Sequence, residues 1–471
     1  MVGGGAAGLH VALEAADAGA TVALISRKPL AESASFRAQG GLAAAIADDD
    51  SPARHAEDTF NAGRDACRRA AVEVLTSEAP AAVERLISRG VEFDREPDGR
   101  PALSLEGGHT ARRIIHAGGA ETGRAITSRL AELVAGHAGI ELMDDASATA
   151  LWVDADRCIG VVTNRGTVLA RATVLATGGG AALWQRTTNP WGAIGAGAVL
   201  AHSAGAILAD LELCQFHPTA LALPGSKFDG ALITEAVRGE GALLLGADGR
   251  RFTDELAPRD QVSTAILDRI DADAIRHVSL DLRPVPLERF PSIERMVRAA
   301  GLDPSKPLPV APASHYLIGG VRTDLEGRSS LPGLYAVGES GCTGLHGANR
   351  LASNSLSECF VFGTRAARTA LAEPDPPPRP KAPGPWRFIP PTEATREAVW
   401  RLAGPRRDPE SLAKLGDDLY PLARLIGASA LARVESRGVH RRLDQPAREP
   451  EFDRIHVVVG ADASVSTERW D

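Results

Sequence analysis

The residues best suited to chemistry stand at the start of the chain, where Gly3-Gly4-Gly5-Ala6-Ala7-Gly8 forms a GxGxxG pattern. An apolar helical stretch follows to about Ala18, then a short apolar run, Val22 to Ile25. In such a turn Gly3 and Gly5 let the backbone approach a pyrophosphate, and Gly8 lets helix and strand pack closely. The helix N-terminus at Ala6 and Ala7 then faces the phosphates. The acid that would take a ribose hydroxyl of NAD after the second strand is missing, and Ser26-Arg27-Lys28 stands in its place. Two later strand ends favour FAD instead. Ala176-Thr177-Gly178-Gly179 closes one apolar run, and Gly333 to Glu339 closes another, with Glu339 suited to accept hydrogen bonds from ribitol hydroxyls. Any one of these could be a plain strand–turn–helix junction; all three in this order point to a dinucleotide.

Four further clusters complete the pattern: Ala38-Gln39-Gly40-Gly41, Gln215-Phe216-His217-Pro218-Thr219, Arg238-Gly239-Glu240-Gly241, and Gly347-Ala348-Asn349-Arg350 running into Ser353-Asn354-Ser355-Leu356. Over about residues 1 to 370 the chain thereby resembles the flavoprotein superfamily of succinate dehydrogenase, fumarate reductase and L-aspartate oxidase. Glu106-Gly107-Gly108-His109, followed by Arg112 to Ala117, resembles the aspartate oxidase branch, and Glu435-Ser436-Arg437-Gly438 with His440 is similar to the superfamily's tail.

The resemblance implies FAD-dependent oxidation of L-aspartate to iminoaspartate, by hydride transfer to flavin N5, as the first step of de novo NAD biosynthesis. Oxygen or fumarate would reoxidise the flavin, and a quinolinate synthase is a candidate partner. Beside the motif glycines, the implied FAD contacts are Arg27, Ser33, Ala34, Ser35, the Ala38 to Gly41 segment, Ala176 to Gly178, Glu339, Ser355 and Leu356. Arg350 would pair one substrate carboxylate bidentately, with His217, His315 and Gln215 as further substrate contacts. Glu106 would attract the amino group. Arg259 would stand at the reacting carbons as proton donor or acceptor, with Glu235 and Arg238 relaying protons to solvent.

An arginine base conflicts with its very high pKa, so orientation and charge stabilisation are the other reading of Arg259. Plainer readings stand beside the rest. His217 before a proline could be a buried turn residue, His315 has only Ser314 and Tyr316 around it, and Glu235 with Arg238 could be a surface ion pair. His109 and His116 are as readily structural as functional.

Two departures matter. Covalent-flavin relatives carry a histidine five residues before the glutamine of AQGG, and Ala34 stands there, so the FAD is expected to be non-covalent. Where the family has an acid in a GDG segment, this chain has Gly195-Ala196-Gly197, so one cofactor contact is expected to be missing. A soluble fumarate reductase or succinate dehydrogenase flavoprotein remains open, with Glu106 and Ala34 against it. A non-catalytic flavin-binding protein also remains open, with His217, Arg259 and Arg350 against it.

The elements that must position these residues read as α/β. Val22 to Ile25, Arg171 to Ala176 and Leu334 to Val337 are apolar runs, the later two ending in glycine, as in a parallel sheet. The expected architecture is a Rossmann-like FAD-binding domain (1–210 and 318–375), an inserted α+β capping domain (211–317) and a small C-terminal helical domain (388–471). The capping segment contains a strand from Val278 to Leu282 and a helix from Gln261 to Ile270. A Pro-rich linker, Pro374 to Pro385, precedes helices expected at Glu393 to Leu402 and Glu410 to Arg437. Nothing after Pro446 carries a readable motif. Only Met1 and Val2 precede Gly3, where a strand of about five to six residues is expected; a few apolar residues are therefore expected upstream.

With 471 residues the chain suggests two or three domains, and 44% hydrophobic with 24% charged residues is ordinary for a soluble protein. A net charge of −8 argues against nucleic acid or an anionic membrane as partner, so a dianionic substrate needs a local positive pocket. The five cysteines are odd in number and lack CxxC spacing, which predicts neither disulfide framework nor metal site and suits a reducing cytoplasm. No signal-peptide pattern is evident, and Ala193 to Ala209 reads as a buried helix rather than a membrane span.

Overall fold

The computed structural model describes residues 1–29, 33–378, 380–381 and 388–471. Part of the Pro-rich linker lies outside them.

Strand Val22–Ser26 pairs in parallel with Ile140–Asp144, and Leu334–Ala336 pairs in parallel with Thr173–Leu175. Val2 joins the two pairs by parallel bridges to both Ile25 and Leu175. Its N–H donates to Val174 O at 2.9 Å, and Gly3 N–H donates to Ile25 O at 2.9 Å. The central position beneath the fingerprint, where a strand was expected, is thus held by this single bridged residue. Gly3 has φ +116°, and a Cβ there would lie 2.2 Å from Ala176 O, so the turn admits only glycine. Helices Ala6–Asp17 and Asn354–Ala370 pack together and share an apolar core with Leu24, Val174 and Val337.

Residues 214–317 form an antiparallel sheet in the order Cys214–Leu221, Leu308–Leu317, Val278–Asp281, Leu243–Leu245. Helices Arg259–Ala272 and Pro291–Ala299 bury Val262, Ile266, Ile293 and Val297 in a core with it. Strand Cys214–Leu221 is buried throughout, and its pairing shifts between Gln215 and Phe216 and again between His217 and Ala220. Pro218, which has no N–H to give a ladder, falls in the second shift. Such irregularities re-aim side chains.

The helix expected from Glu410 to Arg437 is instead two, Pro409–Lys414 and Pro421–Ala432. Pro421 fits only the first turn of a helix, so a new one starts there. The Ala193 to Ala209 stretch is likewise shorter than expected, with helix Ala196–Ser203 followed by strand Leu208–Ala209. To its helices the tail adds a hairpin, Ile455–Val459 with Val465–Arg469, which pairs with Leu208–Ala209. Buried contacts fix the tail: Arg433 pairs with Glu212 at 2.7 Å, Arg437 pairs with Glu435 at 2.7 Å, and His456 Nδ1 lies 2.6 Å from Asp210 Oδ2. Val439 N–H also donates to Ala348 O at 2.9 Å, which braces the turn leading to Arg350. All five cysteines are free and buried. Among the described residues no helix is long and apolar enough to cross a membrane.

Candidate active site

One cavity of about 520 Å³ runs from the glycine fingerprint to a cluster of arginines and histidines, a volume usual for cofactor sites. Its first end is lined by Gly3, Gly5, Ala6, Ala7, Arg27 and the Ser33-Ala34-Ser35 segment. The Ala6–Asp17 helix has no side-chain cap at Gly5 and no acid in its first turn. Its leading N–H groups are therefore free for an anion, as a pyrophosphate requires. Further along lie Ala38 to Gly41, Ala176 to Gly178, Glu339, Ser355 and Leu356. Glu339 Oε1 accepts from Leu317 N–H at 2.9 Å, and burial pushes its carboxyl up to about 8. Ala34 and Ala196 both line the wall: the first offers no atom for a bond to flavin, the second no acid. This wall fits a non-covalent FAD. Gly8 is the one expected cofactor residue outside it; a Cβ there would lie 1.9 Å from Gly3 O, so its part is packing.

The other end is built from the antiparallel sheet, the start of helix Arg259–Ala272 and the loops that carry Glu106 and Arg350. His217 and His315 lie edge to face with ring centroids 5.1 Å apart. Thr219 N–H donates to His217 Nδ1 at 3.3 Å, which leaves the proton of the neutral ring on Nε2. His315 Nδ1 lies 2.7 Å from Thr188 Oγ1. Burial, then the charge of Arg259, pushes both rings well below the ordinary histidine range, so both are neutral donors. Arg350 rests on the face of Tyr316, 4.7 Å from the ring centroid, and donates to Ser355 Oγ at 3.0 Å. Its Nε is buried without a partner, and burial with Arg259 nearby brings its pKa down to about 10.

Arg259 opens its helix, with Nε donating to Glu235 Oε2 at 2.7 Å and one terminal nitrogen to Gln215 Oε1 at 3.1 Å. Arg238 pairs with Glu235 at 3.2 Å and donates to the Glu255 carbonyl. Burial pushes the Glu235 carboxyl up, but Arg238 and Arg259 outweigh it and hold it below its usual range. Two expected site residues lie behind the wall. Gln215 donates to Asn349 Oδ1 at 2.9 Å and to Arg350 O at 2.8 Å, and so braces both arginines instead of facing the cavity. Arg238 is buried behind Glu235, which removes both the surface-pair reading and direct contact.

Glu106 reaches the cavity on a loop held from both sides. Gly107 N–H donates to Glu235 Oε1 at 3.0 Å, and Gly108 N–H to Leu256 O at 3.2 Å. Arg113, fully buried, grips Asp50 at 2.7 Å and also pairs with Asp58, which accepts from Thr110 N–H at 2.8 Å. His109 spans Arg113 and the Ala352 carbonyl, and His116 meets Ser104, so both are structural. Glu106 Oε2 accepts from Ser353 Oγ at 2.6 Å, while Oε1 is buried without a hydrogen-bond partner. Thr188, Thr234, Tyr316 and Ser353 also line the cavity and were not anticipated. Tyr316 and Ser353 stood inside recognised segments; Thr188 and Thr234 carried no signal.

Arg259 and Arg350 line this end and Arg238 lies just behind it, against Glu106 and Glu235, so three cations exceed two anions by one positive charge. A ligand with two carboxylates and one ammonium carries one net negative charge. Among the described residues no group of three His, Cys, Asp or Glu side chains is placed to hold a metal.

The FAD binding domain family matches residues 1–356, and the fumarate reductase flavoprotein C-terminal family matches residues 410–469. The L-aspartate oxidase of Streptomyces coelicolor is 41% identical over 98% of this chain and 90% of its own length. That of Caulobacter vibrioides is 44% identical over 98% and 95%. That of Nostoc sp. is 47% identical over 79% and 67%. Among solved structures, a variant FrdA of E. coli quinol fumarate reductase is similar with a TM-score of 0.88 and 29% identity, covering 100% of this chain and 95% of that one. Mycobacterium smegmatis Sdh1 follows with a TM-score of 0.83 and 29% identity, covering 100% and 94%.

Proposed function

Because the chain belongs to the L-aspartate oxidases of the FAD-binding flavoprotein superfamily, we propose that it oxidises L-aspartate to iminoaspartate, opening NAD biosynthesis. The observation that carries this reading is the unpartnered Glu106 Oε1 at the end of the cavity that Arg259 and Arg350 line. An amino dicarboxylate matches that charge pattern; a plain dicarboxylate leaves Glu106 buried against it.

FAD bound along the cavity supplies the hydride acceptor. The residues do the rest. Arg350 binds one carboxylate, and the Nε2–H of His217 donates to a carboxylate, with His315 beside it. Glu106 holds the ammonium and so fixes which face of Cα meets the cofactor. Arg259, with two nitrogens committed to Glu235 and Gln215, presents its remaining nitrogen at the reacting carbons. It acts through orientation and charge, with Glu235 and Arg238 fixing it from behind, and the proton that the ammonium loses as the imine forms passes to Glu106, the carboxylate that holds it. Oxygen, fumarate or both would serve as the final electron acceptor. The free thiols suit a cytoplasmic setting, and the unstable imine makes a quinolinate synthase the natural recipient.

Acid precipitation should release FAD into the supernatant, and L-aspartate in air should yield hydrogen peroxide with oxaloacetate and ammonia from imine hydrolysis. Flavin left on the denatured chain would contradict the non-covalent reading. Absence of turnover with both oxygen and fumarate would contradict the reaction.

A further inference from the structure

Ser353 stands at the N-cap of the Asn354–Ala370 helix, where a serine ordinarily accepts a hydrogen bond from an early helical N–H. Here its side chain caps nothing. Its backbone has φ +61°, the left-handed region that L side chains rarely adopt, although it is buried. The hydroxyl is turned instead onto Glu106, with Oγ 2.6 Å from Oε2. Backbone ease and helix capping are both given up for this one contact, the pattern of a residue kept for a site rather than for stability.

The contact decides what Glu106 can do. With Oε2 taken, Oε1 is the oxygen left over, and it is buried without a hydrogen-bond partner. The His116 Nε2 nitrogen lies 3.9 Å from it, too far for a hydrogen bond. Among the described residues no hydrogen bond joins Glu106 to Arg259 or Arg350, although its charge is felt at Arg350. A carboxylate free to turn about its last torsion would no longer hold Oε1 where the substrate ammonium must sit.

We propose that Ser353 is a specificity-determining positioning residue, which holds Glu106 so that Oε1 stays free for a substrate ammonium. The site then prefers amino dicarboxylates to dicarboxylates without the amine. This rests on the reading of Glu106 as the ammonium partner.

Ser353→Ala and Ser353→Gly, each assayed with saturating FAD, test it through KM and kcat for L-aspartate and the inhibition constant of succinate. Losing a charge-assisted contact should raise KM for L-aspartate about tenfold, while succinate changes by less than about twofold. Ser353→Gly should melt no lower than the parent, since glycine accepts the positive φ. Glu106→Gln alone should abolish the discrimination, and Ser353→Gly added to it should have no further effect. Equal weakening of both ligands by the Ser353 variants, or no change in either, would show a merely structural residue. If Glu106→Gln removes discrimination and Ser353→Gly leaves it intact, the Ser353 proposal alone falls. If Glu106→Gln itself leaves discrimination intact, the ammonium reading falls and takes this proposal with it.

Discussion

Arg259 and Arg350 share one cavity but are held by different means, and their substitutions should part accordingly. Arg350 lies on an aromatic face with an unpartnered Nε, as a carboxylate receptor would. Arg259 is clamped by Glu235 and Gln215, as a group that must not move during reaction would be. Removing a desolvated charge-assisted contact costs about 1.5–3 kcal/mol, or roughly ten- to a hundred-fold. Arg350→Leu should therefore raise KM by that factor, while Arg259→Leu should lower kcat with FAD still bound. Steady-state kinetics on the two variants would separate them; near-normal turnover by Arg259→Leu at saturating L-aspartate would remove that residue from the mechanism. Arg350 was legible in the sequence because it ends the Gly347 to Arg350 segment, and Arg259 through the resemblance. The place of Gln215 was not, because the side that faces the cavity depends on the pairing shifts around Phe216 and Pro218, which arise only when strand Cys214–Leu221 meets strand Leu308–Leu317.

The element that ties Glu235 and Leu256 to the turn before helix Asn354–Ala370 is the loop from Glu106 to His109. A Cβ on Gly107 would lie 2.1 Å from Glu235 Oε1. Gly107→Ala should therefore push Glu235 off both Gly107 N–H and Arg259, and lower kcat by about tenfold or more through loss of orientation, with FAD content unchanged. Unaltered kcat would show that the loop does not position Glu235. The strands around the fingerprint fall where the apolar runs lie, as do helices Ala6–Asp17, Arg259–Ala272 and Glu393–Leu402. The rest of the tail was less legible. Its hairpin joins the adjacent strands Ile455–Val459 and Val465–Arg469, but no motif announced it, and its place against Leu208–Ala209 depends on a strand far back in the chain. The break before Pro421 is marked by Gly416-Asp417-Asp418 and by the proline itself, which the reading of one long helix overrode.

For the whole molecule, the cofactor cavity carries a stability cost that pH should expose. Burial pushes the Glu339 carboxyl from 4.5 up to about 8, so at neutral pH the FAD-free protein keeps it protonated while the unfolded chain ionises it. The stability linked to that proton is full below the ordinary carboxylate range and is lost as pH rises through about 8. Melting of the FAD-free protein should fall between pH values below and above that point, and Glu339→Gln should flatten the slope; parallel slopes in the two proteins would contradict this. Charge is likewise arranged at the scale of the whole chain: a molecule with net charge −8 keeps one excess positive charge at the substrate end of its cavity. That local balance is the central claim, because it favours a ligand with two carboxylates and an ammonium. Anaerobic titration of the FAD-loaded enzyme with L-aspartate and, in parallel, with succinate tests it most directly. L-aspartate should bleach the flavin absorbance, while succinate should at most perturb the spectrum; faster bleaching by succinate than by L-aspartate would contradict the account.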